Sequence, residues 1–345
     1  MSLWVPKLWG DKQMNTFAAM ENATDVVRAM NRAGTAGKPF LFGFDFEFTR
    51  GFFIPEPLRQ THVRFDIRGV CNTPPDDDAS ATETTYSFER FPEPEATYAR
   101  RFDIIRAGLL RGDSFLTNLT VRTPIHTDLT PDAIYRRAHA LYKMYYPGAF
   151  VCFSPECFVR IDTEGSIASH PMKGTIDARL PDARERILAD PKETAEHNTI
   201  VDLIRNDLSM VADQVHVRRF RYIDRLETSA GPILQVSSEI VGQMADDWRC
   251  HVGDLIARLL PAGSISGAPK DATVRLIRQA EGAPRGFYTG VFGLFDGRTL
   301  DSAVFIRFID LTTTPLTYQS GGGITARSHM HDEYEEVIQK VYLPF

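Results

Sequence analysis

The chain is poor in cysteine. Cys71, Cys152, Cys157 and Cys250 are scattered over 345 positions, with neither metal-site spacing nor the density of a disulfide framework, a usage that fits reduced thiols in a cytoplasm. Long apolar runs are missing too. None approaches the roughly 18 residues that a membrane span needs, and the opening MSLWVPKLWGDK lacks the apolar core of an export signal. Nor is there an excess of positive charge: 39 Lys+Arg stand against 45 Asp+Glu, a net charge of -6. No broad basic field exists to hold nucleic acid or an anionic membrane. These absences leave a globular cytoplasmic protein with small-molecule or protein partners, 43% hydrophobic and long enough for a sizeable core in one or two domains.

What is present reads as a mixture of strands and helices. KPFLFGFDFEFTRGFFI (38–54) alternates with the period of strands, CNTPPDDDASATETT (71–85) reads as a polar loop, and YARRFDIIRAGLLRGD as a helix with Phe102, Ile105, Leu109 and Leu110 on one side and Gly112 as its stop. FLTNLTVRTPI is expected as a strand and PDAIYRRAHALYKMY as a helix. GAFVCFS and CFVRIDTEGSIASHPM follow as strands, the second turning at Glu164-Gly165. The long helix DPKETAEHNTIVDLIRNDLSMVA carries Asp190 as N-cap, Pro191 at the first helical position and Glu193 able to close a capping box. Helices at WRCHVGDLIARLLPAG and APKDATVRLIRQAEG, strands at YTGVFGLFD, SAVFIRFIDL and PLTYQSGGGITA, and a last helix from Asp332 to Val341 complete the reading. Hairpins among the strands and helices in blocks favour an α+β fold of antiparallel sheets.

The chemistry-bearing residues are fewer. Glu193 and Glu196 lie three apart on one helical face, Glu196 opening the stripe that continues at Ile200 and Leu203. Glu333 and Glu336 repeat the spacing at the C-terminal helix. Each pair has an ordinary reading, a cap with a solvated neighbour or acids favoured by the helix dipole. Converging, the two pairs would offer hard oxygen ligands of the kind that suits Mg²⁺ completed by a substrate's own anionic oxygens. SGGGITA (320–326) and LLPAGSISGAPK (259–270) are glycine-rich stretches that are either turns or close approaches of backbone to an anion; the second is no Walker loop, having no Gly-Lys-Ser/Thr at its end. Lys173, in HPMKGTIDA, is an ordinary surface charge unless an apolar pocket holds it, when it becomes a usable nucleophile or base, with Glu156 of FSPECF as acid partner. His329 and His331 form an H-x-H without further ligands at zinc-like spacing.

Nine stretches in order, GDSFLTNLT, FSPECF, HPMKGTIDA, ETAEHNTIVDLIRNDLSMVA, PAGSISGAPK, YTGVFGLFD, SAVFIRF, SGGGITARS and EYEEVIQK, resemble the chorismate-utilising enzyme family over about residues 110 to 345. The resemblance implies an α+β sandwich of antiparallel sheets with helices packed outside and a Mg²⁺-dependent cleft. It divides the chain into a shortened, β-rich N-terminal region, 1–100, and a catalytic domain, 101–345. The Pro-x-x-Gly-Thr motif carries alanine in the anthranilate synthase branch and lysine in the aminodeoxychorismate-forming branch; here it is Lys173.

The implied reaction converts chorismate and ammonia to 4-amino-4-deoxychorismate, a precursor of p-aminobenzoate and folate. Lys173 is the implied nucleophile at ring carbon C2 and Glu156 the general acid toward the departing C4 hydroxyl. Glu196 and Glu336, supported by Glu193 and Glu333, are the implied Mg²⁺ ligands. Arg307, Lys340, Tyr288, Thr175 and the Gly321, Gly322 and Gly323 backbone resemble the groups that hold the substrate carboxylates, with Gly263 and Ser264 in the matching PAGS segment. Gln235 stands where anthranilate synthases carry histidine, so it can orient but not shuttle a proton. Asn206 and Asp207 are read as architectural. No Cys-His-Glu amidotransferase domain is seen, so ammonia is expected from a separate glutamine amidotransferase subunit, and the product is expected to be released unaromatised. The alternatives are anthranilate synthase component I, isochorismate or salicylate synthase, and a non-catalytic chorismate-binding protein.

Overall fold

A computed structural model describes residues 20–73, 85–228 and 231–345. Most of the expected polar loop, residues 74–84, lies outside them. Two antiparallel sheets face each other. The larger runs Glu21–Asn22, Arg50–Pro55, Phe40–Phe44, Val291–Phe295, Leu300–Val304, Cys157–Ile161, Ser166–Ser169, Gly231–Gln243 and Met172–Asp177, with Asp213–Thr228 also paired to Gly231–Gln243. The smaller runs Val70–Cys71, Arg64–Ile67, Tyr142–Tyr146, Phe150–Ser154, Phe308–Asp310, Thr317–Ile324, Thr117–Thr127 and Phe88–Arg90. The α+β class expected from the sequence is the class observed.

Between the sheets lies an aromatic core in which Phe52, Phe150, Phe292, Phe305 and Phe308 are buried. Phe292 stacks on Phe305 at 4.5 Å between centroids, and Phe305 meets Phe150 edge-on at 5.0 Å, arrangements that add attraction beyond the area buried. Helices cover the outer faces: Ala23–Thr35 and Val252–Leu259 on the larger sheet through Val26, Met30, Ile256 and Leu259, and Glu95–Arg111, Lys270–Glu281 and Met330–Gln339 on the smaller through Tyr98, Phe102, Leu276 and Val337. The strand Phe40–Phe44 is buried at every position, not at alternate ones, because it is covered on both faces.

Local signals were realised where the chemistry is local. Asp190 accepts from the Glu193 N–H at 3.0 Å and starts the helix Pro191–Leu208; Gly112, at φ 85°, ends Glu95–Arg111; Gly165 turns the hairpin at φ 80°. Leu110 departs from expectation. It is 65% exposed, since it follows Leu109 directly and adjacent helical residues point about 100° apart. The helix expected over PDAIYRRAHALYKMY stops at Arg137, and Tyr142–Tyr146 instead pairs with Phe150–Ser154.

Two further differences shape the site. SAVFIRFIDL is not one strand but two, Leu300–Val304 in the larger sheet and Phe308–Asp310 in the smaller. The chain crosses between sheets at Phe305–Arg307, with Arg307 at φ 53°, a region that non-glycine residues seldom occupy. The triple glycine makes no turn but lies inside the strand Thr317–Ile324: Gly321, Gly322 and Gly323 pair with Thr120, Leu119 and Asn118.

Candidate functional site

The pairing of Thr317–Ile324 with Phe308–Asp310 ends at Gln319, so from Ser320 onward one edge of this strand has no strand partner among the described residues and faces other groups. The Gly321 carbonyl accepts from Lys340 Nζ at 2.9 Å. A side-chain carbon on Gly322 would lie 3.3 Å from Glu333 Oε2, and one on Gly323 3.5 Å from Lys173 Nζ. Glycine here leaves room for acid and amine to approach the backbone.

Lys173 lies on the strand Met172–Asp177. Its side chain is 27% exposed, and Nζ stands 3.6 Å from Glu196 Oε2. Gly174, at φ 86°, brings the same strand against Glu193, whose Oε2 would be 3.0 Å from a carbon added there. The E-x-x-E face of the long helix therefore packs on the lysine strand. On the C-terminal helix, Glu333 is buried at 3% exposure, and Glu336 is exposed and bonded to Lys340 at 2.6 Å. Burial pulls the Lys340 ammonium below its ordinary range, against the pull of Glu336.

Glu156 follows the strand Phe150–Ser154, its main chain tied by its N–H to Ser154 Oγ at 3.1 Å and by its carbonyl to the Val304 N–H at 3.2 Å. Burial pushes its carboxyl above the usual carboxylate range. The Ser264 hydroxyl, which donates to Oε1 at 2.6 Å, and the charges of Lys173, Arg307 and Lys340 oppose that shift. A carboxyl that resists ionisation among three cations is suited to giving a proton away. Arg307 lies 5.6 Å over the Tyr342 ring, and its buried Nε has no hydrogen-bond partner among the described residues. An orphaned guanidinium N–H of this kind is a ready donor to a carboxylate. Tyr288 is buried against Phe308, with its phenol held above the ordinary value by burial.

Thus Lys173, Glu156, Ser264, Arg307, Lys340, Gly321 to Gly323 and the four glutamates are linked into one group by contact or by charge. Thr175 and Gln235 are not tied to that group by hydrogen bonds among the described residues. Thr175 is exposed opposite Gln235 in the ladder, and Gln235 turns its amide to the Met172 sulfur. His331 lies not ahead of the C-terminal helix but in its first turn, Met330–Gln339, where it is exposed and bonds Glu95 at 2.9 Å. The reading of single residues passed over Lys270, although a lysine opening a helix is set against the dipole; it pairs with Asp207 at 2.9 Å.

Among the described residues no group of three or more His, Cys, Asp or Glu is gathered tightly enough to hold a metal by itself. Acids from two helices nonetheless face the glycine strand and the lysine strand, and Mg²⁺ ordinarily takes one or two carboxylates, waters and substrate oxygens. The donor set fits an ion of that kind, held jointly with an anionic substrate. All four cysteines are free, and no helix among the described residues is long and apolar enough to cross a membrane.

A family model described as chorismate binding enzyme matches residues 54–344. An uncharacterised PabA-like protein of Pasteurella multocida is 47% identical over 319 residues, 92% of this chain and 98% of that protein. An aminodeoxychorismate synthase of Streptomyces griseus is 33% identical over 263 residues, 70% of this chain and 35% of that protein. Among solved structures, anthranilate synthase component I from Streptococcus pneumoniae superposes with a TM-score of 0.61 at 26% identity, covering 74% of this chain and 58% of that one.

Proposed function

The chain belongs to the chorismate binding enzyme family, and from that premise we propose that it converts chorismate and ammonia to 4-amino-4-deoxychorismate and water, serving p-aminobenzoate and folate synthesis in the cytoplasm. The observation that carries the reading is the position of Lys173. Its amine lies beside Glu196 and the Gly323 backbone, and its charge acts on a buried Glu156. Branches of the family that deliver water or make anthranilate have no evident use for a nucleophilic amine there.

In the proposed mechanism Lys173 Nζ bonds to ring carbon C2 while both ring double bonds shift, C1=C2 to C1=C6 and C5=C6 to C4=C5, and the C4–O bond breaks. Glu156 gives its proton to the departing hydroxyl, which leaves as water. Ammonia then bonds to C4, both double bonds shift back to C5=C6 and C1=C2, and the C2–N bond to Lys173 breaks, returning a neutral amine. The proton shed by the new ammonium group restores Glu156. Splitting one displacement into two is the advantage of covalent catalysis.

Arg307 and Lys340 hold the substrate carboxylates, with Tyr288 alongside. Glu196 and Glu336, backed by Glu193 and Glu333, would hold Mg²⁺, which when bound neutralises the ring carboxylate. Ammonia is supplied by a separate glutamine amidotransferase subunit. The test is to incubate the protein with chorismate, MgCl₂ and an ammonium salt at mildly alkaline pH and identify the product by mass. 4-Amino-4-deoxychorismate is expected; anthranilate, a hydroxylated isomer or unchanged chorismate overturns the reading.

A further inference from the structure

The segment from Leu260 to Pro269 joins two helices and carries Ser264, the hydroxyl that reaches Glu156. Three attachments fix it. Lys270 Nζ donates to the Leu259 carbonyl at 2.7 Å, so the two ends of the segment are clipped to each other. The same ammonium pairs with Asp207 Oδ2 at 2.9 Å, and Asp207, 6% exposed at the end of the helix Pro191–Leu208, accepts the backbone N–H of Gly263. Gly263 has no room for a side chain: a Cβ would lie 2.4 Å from Asp207 Oδ2. Further along, Gly267, at φ 63°, passes so close to Leu116 that a Cβ would lie 1.8 Å from its carbonyl oxygen.

A buried ion pair is a poor choice for stability alone, because apolar residues of similar volume commonly serve as well or better. An ionised carboxylate does supply a strong, directional anchor for an N–H. Here that N–H belongs to the residue immediately before Ser264.

We propose that Asp207 and Lys270 are positioning residues, which through the Gly263 N–H set the placement of Ser264 and so its hydrogen bond to Glu156. The inference rests on Glu156 being the proton donor named above. The chain of effect runs from the Lys270 ammonium to the Asp207 carboxylate, to the Gly263 backbone, to the Ser264 hydroxyl and to the acid. Because the hydroxyl donates to the carboxylate, it favours the ionised form of Glu156 and sets how readily the acid gives up and regains its proton.

The test reads the protonation of Glu156 directly, by infrared titration of its carboxyl band assigned with E156Q. S264A is expected to raise the midpoint by about one pH unit, a tenfold change in the protonation equilibrium. D207L/K270M, which replaces both charges by apolar side chains, is expected to raise it equally, and adding S264A to that pair to raise it no further. K270Q, a milder change that keeps a donor near Leu259, must move the midpoint in the same direction, and K270R must leave it at the wild-type value. A midpoint unmoved in D207L/K270M and K270Q while thermal stability falls overturns the proposal, as does a shift that adds to that of S264A. The readout needs no turnover. Absence of amination in the wild type would remove the functional reading alone, and an unmoved midpoint in an active enzyme removes this proposal alone.

Discussion

Lys173 Nζ and Glu196 Oε2 stand 3.6 Å apart across the junction of a strand and a helix. The pair joins the proposed nucleophile to a proposed metal ligand, so the two functions separate under mutation. K173M keeps the length of the side chain and loses the amine. Amination is expected to fall by about a thousandfold or more, since loss of the nucleophile removes the covalent route, while chorismate affinity by calorimetry stays within a few-fold. A variant that retains a tenth of the wild-type rate would exclude covalent catalysis by this residue.

E196Q addresses the metal. The amide is a weaker ligand for a hard cation than the carboxylate, so the Mg²⁺ concentration for half-maximal rate is expected to rise by about tenfold or more, with the rate at saturating Mg²⁺ reduced less. Titration of initial rates against MgCl₂ after removal of divalent ions with EDTA gives the comparison. An unchanged half-saturation point would place the ion elsewhere.

Gly323 separates steric from structural effects. A methyl group there would meet Leu116 at 3.4 Å and Lys173 Nζ at 3.5 Å, ordinary contact distances, so G323A is expected to fold with a stability change within about 0.5 kcal/mol. Its methyl nevertheless enters the space beside the amine. The expected outcome is an unaltered urea midpoint with KM for chorismate raised or kcat lowered by about tenfold, which corresponds to about 1.4 kcal/mol.

The parts of the fold that could be read from the sequence are those decided by near neighbours. Asp190 before Pro191, Gly112 after Leu109, and Glu164-Gly165 between two apolar runs each carry their reason within four residues. SAVFIRFIDL hides its break because both halves are apolar, and the crossing at Arg307 is imposed by pairing with different sheets, information that no local window holds. ALYKMY satisfies a helical period as well as a strand's; pairing with Phe150–Ser154 decides it. In the site, the acids and Lys173 stood out by spacing and by family resemblance. The Asp207–Lys270 pair did not, as its partners lie on separate helices and only the ill-placed charge at a helix start marked it.

Arg307 should not tolerate lysine. Its Nε is a buried donor without a partner among the described residues, and a lysine cannot present a planar fork to a carboxylate. R307K is expected to raise KM for chorismate by about 10- to 100-fold, the range for losing a charge-assisted hydrogen bond of about 1.5–3 kcal/mol. Because position 307 has a positive φ that lysine shares no better or worse than arginine, circular dichroism and melting temperature should stay near wild type. Unaltered KM would assign the carboxylate to other groups.

The protein should lose stability on the alkaline side. Burial holds the phenols of Tyr98, Tyr135, Tyr142 and Tyr318 above their ordinary value and pushes the Cys157 thiol up to about 12. In the unfolded chain a thiol ionises near pH 8.5 and a phenol near about 10. Below those values both states keep the proton and these groups add no pH dependence. Above them the unfolded chain has released protons that the native state retains, so stability falls as pH rises toward the folded values. Urea midpoints measured from pH 8 to pH 11 are expected to decline steadily, and phenolate absorbance from these four side chains to appear together with unfolding. Full phenolate absorbance at pH 11 with an intact near-ultraviolet dichroism spectrum would show that the rings are accessible in the native state, contrary to their burial between and outside the sheets.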